Sequence, residues 1–318
     1  MRATIVGGGV SGLTTAVAMR EAGWDAHVVA RELYDSTVSM VAAAVWTATM
    51  LEPHESTRRW ALATRTRFAS LSEDPASGVV PMRQRELDRC VPSRSWWETT
   101  PYVRRLGSDA VPAPYAGGFE IDGFGIEPPV YLRWLTTLLA KLGGTITVGE
   151  VDRLVDVEGD IVLNCSGLGA ADLADDPTVH PIRGQVVAVT NPGIRDGVTD
   201  HSDAERAAYV YPRSEEVILG GTRQIGCTDL EPDPVITQRI LTDSGQLDGR
   251  VAQLDVLDVR VGLRPGRPSV RVERDELADG RAVVHNYGHA GAGFLLSWGC
   301  AQDVVKLTNT LNGRFERW

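Results

Sequence analysis

The chain opens on a short apolar run, Arg2–Val6, which passes into Gly7-Gly8-Gly9-Val10-Ser11-Gly12 and then Leu13-Thr14-Thr15-Ala16-Val17-Ala18-Met19-Arg20. That pattern predicts a strand, a glycine turn and a helix. Gly23 falls where a left-handed C-cap would end the helix, and Asp25–Ala30 reads as a second strand. Helical spacing is expected over residues 55–73. It returns over 130–142, where Leu132, Leu135, Leu138, Leu139 and Leu142 recur until Gly143-Gly144 stops them. Residues 145–148 and 160–164 are strand-like, and the second ends in a small-residue turn, Cys165-Ser166-Gly167. Arg183-Gly184-Gln185 leads into a further strand at 186–189. Residues 78–128 are rich in Gly, Pro and aromatics. Short strands and loops are expected there, with Trp96, Trp97, Phe119 and Phe124 in the core. Residues 190–265 read as antiparallel sheet, with a hairpin formed by 208–211 and 217–220 and a helix over 233–241. A strand at 283–287, a glycine turn at 288–293 and an apolar helix over about 294–311 close the chain.

Strand–turn–helix grammar therefore occupies both ends and part of the middle. The predicted fold is α/β: a Rossmann-like part plus a mixed, largely antiparallel α+β part, their segments interleaved.

The opening turn carries specific physics. Gly7, Gly9 and Gly12 stand at the dinucleotide spacing: for a tight turn, for close backbone approach to a pyrophosphate, and for helix–strand packing. The helix start offers free N–H groups and partial positive charge to phosphates. Glu32 lies 20 residues beyond Gly12, where a carboxylate can bind a ribose 2′-OH. The motif does not choose between FAD and NAD. The stretch 36–46, with its alanine run, leaves two readings open: plain helix packing, or backbone lying against a flat ring. Arg58, Arg59, Arg65 and Arg67 are expected to form a solvated basic face.

The 318 residues suffice for a sizeable core, and the formal charge of −10 argues against a nucleic-acid partner. Cys90, Cys165, Cys227 and Cys300 show no metal-ligand spacing, so no metal is expected and free thiols are the default. The N-terminus runs straight into a strand and no apolar run reaches the roughly 18 residues that span a bilayer. The expectation is a cytoplasmic protein without membrane contact.

The stretch Val283-Val284-His285-Asn286-Tyr287-Gly288-His289-Ala290-Gly291-Ala292-Gly293, followed by Gly299-Cys300-Ala301, closely resembles the C-terminal signature of the D-amino acid oxidases. Matching blocks in the same order are 6–12, Ala30-Arg31-Glu32-Leu33, 42–46, Asn164-Cys165-Ser166-Gly167, Arg183-Gly184-Gln185, Tyr209-Val210-Tyr211-Pro212 and Val261-Gly262-Leu263-Arg264-Pro265. The resemblance implies FAD as cofactor, with 1–50, 130–190 and 270–318 forming its domain and 51–129 with 191–269 the substrate domain. It implies a cofactor set of Gly7, Gly8, Gly9, Val10, Ser11, Gly12, Arg31, Glu32, Ser39, Ala43, Ala44, Val45, Val151, Ser166, Arg264, Gly291, Gly293, Phe294 and Leu295. It favours the second reading of the alanine run.

The implied activity is oxidative deamination of D-amino acids, neutral ones foremost, by hydride transfer to the flavin. Oxygen is the acceptor, and 2-oxo acid, ammonia and hydrogen peroxide are the products. Arg264 matches the carboxylate-binding arginine, Tyr209 the tyrosine that assists it, and Gly291 the residue whose carbonyl accepts from the amine. Tyr211, two residues on from Tyr209, is expected on the opposite sheet face. The family's second, lid tyrosine is Glu205 here. No residue matches a general base, and His285 and His289 are not read as catalytic. Arg213 and Arg206 are candidate second cations for an acidic substrate, which keeps D-aspartate oxidase open beside glycine oxidase; an NAD(P)-dependent dehydrogenase is a more distant alternative. A homodimer is the assembly the family suggests.

Overall fold

A computed structural model describes residues 1–47, 54–90, 96–200, 202 and 208–310, the side chains of Asp35, Trp96 and Trp97 excepted. The smaller of two sheets has six strands, in the order Arg271–Glu276, Ala282–Tyr287, Ile161–Asn164, Arg2–Val6, Asp25–Ala30, Thr145–Val148. All pairings are parallel except that of the edge strand Arg271–Glu276. A parallel sheet must be covered on both faces. One face carries Ile5, Leu163 and Val284 into a core shared with the opening helix Val10–Glu21 and the closing helix Gly293–Asn309. The other carries Val6, Val162 and Val283 onto Leu154 and Val157. The opening helix is buried from Leu13 through Met19, as a helix apolar all round must be.

The larger sheet has ten strands and is antiparallel throughout, except where Gly197–Asp200 runs parallel to Val79–Asp88. The mixed, interleaved α/β architecture read from the sequence is thus present. His180–Thr190, grouped by sequence with the cofactor segments, is a central strand of this larger sheet, pairing with Glu216–Gly220 and Val256–Gly266. Val45–Trp46 also joins it, against Gly117–Ile126.

Two further expectations change. The stretch 78–128 contains two ten-residue strands, Val79–Asp88 and Gly117–Ile126, rather than short pieces. Their alternation was masked because the inward positions of the first include Gln84 and Glu86, both buried. Gln84 Nε2 donates to the Trp46 carbonyl at 3.0 Å, and Glu86 accepts from the Thr47 hydroxyl. In the helix Glu55–Leu71, Arg65 and Arg67 are half-buried instead of solvated, lying over the rings of Tyr102 and Trp298. Phe119 and Phe124 are buried in the core, and the four cysteines are free thiols. Among the described residues no helix is long and apolar enough to cross a membrane.

Candidate active site

The strand Arg2–Val6 lies between Ile161–Asn164 and Asp25–Ala30, so the turns at their carboxyl ends converge. At that switch point an open α/β sheet binds its ligand. Gly7 sits at φ +120°, and a Cβ there would be 2.3 Å from the Cys165 carbonyl oxygen. A Cβ on Gly12 would be 1.9 Å from the Gly7 carbonyl oxygen. Only glycine closes this turn. The N-cap residue of the opening helix, Gly9, offers no capping side chain, and the first turn holds no acid. Ser39 Oγ accepts from Val10 N at 3.0 Å, while the following N–H groups begin the helix at the cleft wall.

The closing helix starts beside it. A Cβ on Gly293 would touch Val10 Cγ1 at 3.5 Å, so the two helix N-termini approach one another. The closing helix likewise lacks a capping side chain and an acid in its first turn. His289 lies between the two turns: its Nδ1 is 3.4 Å from Ser11 Oγ, and its buried Nε2 has no partner among the described residues. Burial pulls its pKa down to about 4, so the ring is neutral at pH 7.

Both turns open into one cleft of about 2100 Å³. Small-molecule pockets span about 300–1,000 Å³, so this one has room for a dinucleotide and a second molecule. Of the residues proposed from sequence, Gly7, Gly8, Gly9, Val10, Ser11, Arg31, Glu32, Ser39, Ala43, Ala44, Val45, Val151, Ser166, Tyr209, Arg264, Gly291, Gly293, Phe294 and Leu295 all line it. Gly12 lies beneath it, buried against Gly7. The alanine run is not helical: a short helix ends at Val41, Ala42 is extended, Ala44 has a left-handed φ of +54°, and Val45–Trp46 is a strand. The Ala42 carbonyl accepts from Arg213 Nη2 at 2.6 Å and the Ala44 carbonyl from Ile126 N at 2.8 Å, which pins this backbone along the wall. A buried imidazole nitrogen without a partner among the described residues, two helix starts whose N-cap residues offer no capping side chain and a wall of small side chains fit a flavin dinucleotide.

The far end of the cleft is built on Val256–Gly266. Arg264 is half-buried and its Nη1 donates to the Thr222 carbonyl at 2.9 Å. The Pro265 carbonyl accepts from Ala290 N at 2.9 Å, which ties Arg264 to the closing turn. A Cβ on Gly291 would lie 3.6 Å from Arg264 Cδ. Burial raises the Tyr209 hydroxyl pKa against the opposing pull of the Arg264 and Arg213 charges. Tyr211 is not on the opposite face. Its ring stacks on Tyr209 with centroids 4.6 Å apart, and both line the cleft. Successive side chains on a strand alternate faces, so residues two apart, such as 209 and 211, share one.

The other cations along the cleft are mostly matched. Arg31 faces Glu32 at 3.9 Å, Arg59 and Lys306 share Asp303, and Arg267 meets Asp176 at 2.8 Å. Arg264 and Arg223 are the two cleft arginines without a carboxylate partner among the described residues. Arg223 follows Thr222 and is exposed; the sequence pattern did not single it out. Arg213 does not serve as a second cation, being buried and bound to Glu216 at 2.6 Å, outside the cleft. Arg206 and Glu205 lie outside the described residues. His285 is buried in its strand, held by Asn164 at 3.2 Å. Among the described residues no cluster of His, Cys, Asp or Glu could hold a metal.

A parallel sheet whose switch point meets two helix starts defines a dinucleotide-binding α/β protein. The family model of FAD dependent oxidoreductases, DAO, matches residues 2–307. The D-amino-acid oxidase of Rubrobacter xylanophilus is 43% identical over 310 residues, covering 96% of this chain and 95% of its own. That of Streptomyces coelicolor is 37% identical over 308 residues, covering 96% of each. The fold matches that of the glycine oxidase of Geobacillus kaustophilus with a TM-score of 0.84 at 20% identity, over 97% of this chain and 95% of that one. The chain belongs to the DAO family of FAD-dependent oxidoreductases.

Proposed function

We propose that this protein oxidises neutral D-amino acids to 2-oxo acids, ammonia and hydrogen peroxide, with FAD as cofactor. The observation that carries the reading is Arg264: a half-buried guanidinium with a backbone acceptor, no carboxylate partner among the described residues, and Gly291 and Tyr209 beside it. Such a fork suits a substrate carboxylate, and the low surrounding polarity strengthens the pair. Tyr209 adds a hydroxyl to the same carboxylate. The Gly291 carbonyl accepts from the amine, and its missing side chain leaves room for the substrate.

Bound FAD supplies the oxidant, accepting the α-hydrogen as hydride and passing the electrons to oxygen. The protein's part is orientation. Two fixed points, Arg264 and Gly291, leave the D-enantiomer one placement of its α-hydrogen; an L-enantiomer held by the same points misplaces either hydrogen or side chain. The closing helix directs its free N–H groups at charge that develops on the cofactor. No protein base is needed for a substrate that reacts with its amine neutral, and the released imino acid hydrolyses in water.

An acidic D-amino acid is the second reading, favoured by Arg223 on the cleft wall, which has no carboxylate partner among the described residues. Its exposure lets water screen the charge, which ranks the neutral substrate first. Initial rates of peroxide release on D-alanine, D-methionine, D-aspartate, glycine and L-alanine test both. Faster turnover of D-alanine and D-methionine supports the proposal; D-aspartate ahead by an order of magnitude overturns it.

A further inference from the structure

The tripeptide Arg183-Gly184-Gln185 lies under the Arg264 guanidinium and binds the loop that carries its backbone acceptor, Thr222. Along His180–Thr190, Gly184 and the buried Val186 face the cleft. Arg264 lies directly opposite Ile182 on the neighbouring strand, and Gly184 lies opposite Gly262. Arg264 therefore meets Gly184 as its diagonal neighbour. A Cβ on Gly184 would sit 2.3 Å from Arg264 Nη2 and 2.4 Å from both Nη1 and Cζ. The guanidinium rests on the bare backbone of Gly184, in a depression that any side chain would fill.

Arg183 and Gln185 point the other way and grip a single loop. Arg183 is 2% exposed, and its partners among the described residues are neutral acceptors: the Asp229 carbonyl at 2.8 Å, Gln224 Oε1 at 2.7 Å, Gln185 Oε1 at 3.0 Å and the Glu231 carbonyl at 2.6 Å. Gln185 N donates to Thr222 Oγ1 at 2.9 Å, and its side chain both donates to the Asp233 carbonyl and accepts from Asp233 N, each at 2.9 Å. Contacts at 222, 224, 229, 231 and 233 thus fasten the loop whose Thr222 carbonyl receives Arg264 Nη1.

We infer that Arg183-Gly184-Gln185 is the positioning element of the carboxylate site: Gly184 seats the Arg264 guanidinium, while Arg183 and Gln185 fix the carbonyl that orients it. Arg264 then meets its ligand already in place, and the cost of ordering a long side chain falls at folding rather than at binding. The inference rests on Arg264 as carboxylate holder.

The test uses FAD-loaded protein, with pyruvate, the 2-oxo acid made from D-alanine, titrated against flavin absorbance. The three atoms nearest to a Cβ in Gly184→Ala all belong to the end of the Arg264 side chain rather than to backbone, so the variant is expected to fold, which its thermal midpoint checks. It is expected to raise the pyruvate Kd and the D-alanine KM at least tenfold, with the FAD Kd within twofold. In an Arg264→Ala background the same substitution is expected to change the pyruvate Kd less than twofold, because its effect passes through Arg264. Arg183→Lys, which keeps the charge but not the fork, is expected to weaken pyruvate several-fold with FAD affinity unchanged. An unaltered pyruvate Kd in Gly184→Ala, or an equal loss with and without Arg264, overturns the inference alone. A wild-type protein that binds FAD but neither pyruvate nor D-alanine overturns the underlying reading as well.

Discussion

The two glycine turns look alike in sequence and differ in what requires their glycines. In the opening turn the protein itself leaves no space: Cβ atoms on Gly7 and Gly12 would fall 2.3 Å and 1.9 Å from backbone oxygens. In the closing turn the nearest atoms to a Cβ on Gly291 and Gly293 are side-chain carbons at 3.6 Å and 3.5 Å, ordinary contacts. The first set of glycines is demanded by chain packing. Gly288, at φ +81° and with a Cβ that would fall 2.8 Å from Arg267 Cβ, is demanded in the same way, but Gly291 and Gly293 are not. Under the proposed function, the first turn would carry the phosphates, and the small residues at 291 and 293 would leave room for substrate and ring.

That difference can be broken by substitution. The largest effect is expected at the ligand end, where Arg264→Ala removes the partner of a buried carboxylate and costs about 3–5 kcal/mol in kcat/KM, while the thermal midpoint hardly moves. Steady-state kinetics on D-alanine check it, and a near-normal KM would mean that another residue holds the carboxylate. Gly12→Ala should do the reverse, costing about 3 kcal/mol of stability or more by overpacking, with loss of FAD; urea unfolding reads this directly.

A smaller effect comes from acid. Burial holds the pKa values of His285 and His289 near about 4, against about 6.5 in an unfolded chain. Each depressed value contributes stability that is complete above pH 6.5 and is lost as pH falls toward 4, about 2 kcal/mol apiece by about pH 5. Unfolding at pH 7.5 and pH 5 should show the loss, and His285→Gln should flatten the slope; a pH-independent midpoint over that range would contradict it. The smallest change in stability is expected for Gly291→Ala, within about 0.5 kcal/mol, although kcat/KM falls roughly tenfold to a hundredfold because the methyl enters the substrate's space. Equal damage to stability in Gly12→Ala and Gly291→Ala would erase the distinction between the turns.

The frame of the fold was legible because its signals are local. A strand, a glycine turn and an apolar helix stand next to one another at each end, and the two turns meet in one cleft. The long strand Val79–Asp88 was not legible, because its buried side positions are polar and satisfied by residues far along the chain. Arg264 could be singled out from its neighbours only through the family signature. The seat on Gly184 and the grip on 222–233 depend on cross-strand register and on backbone carbonyls, which carry no mark in the residue types. Arg213 looked like a free cation in sequence and proved to be a clamp on the Ala42 carbonyl. Arg223 had no signal until the cleft showed which arginines lack a carboxylate.

The central claim is that Arg264 and the closing turn present a D-amino acid to bound FAD. Anaerobic mixing of the FAD-loaded protein with D-alanine or L-alanine tests it most directly, following the flavin band near about 450 nm. The account predicts that D-alanine bleaches the band, that L-alanine leaves it intact, and that admitting air restores it with one equivalent of peroxide. A band that D-alanine and D-methionine both leave unchanged would contradict it.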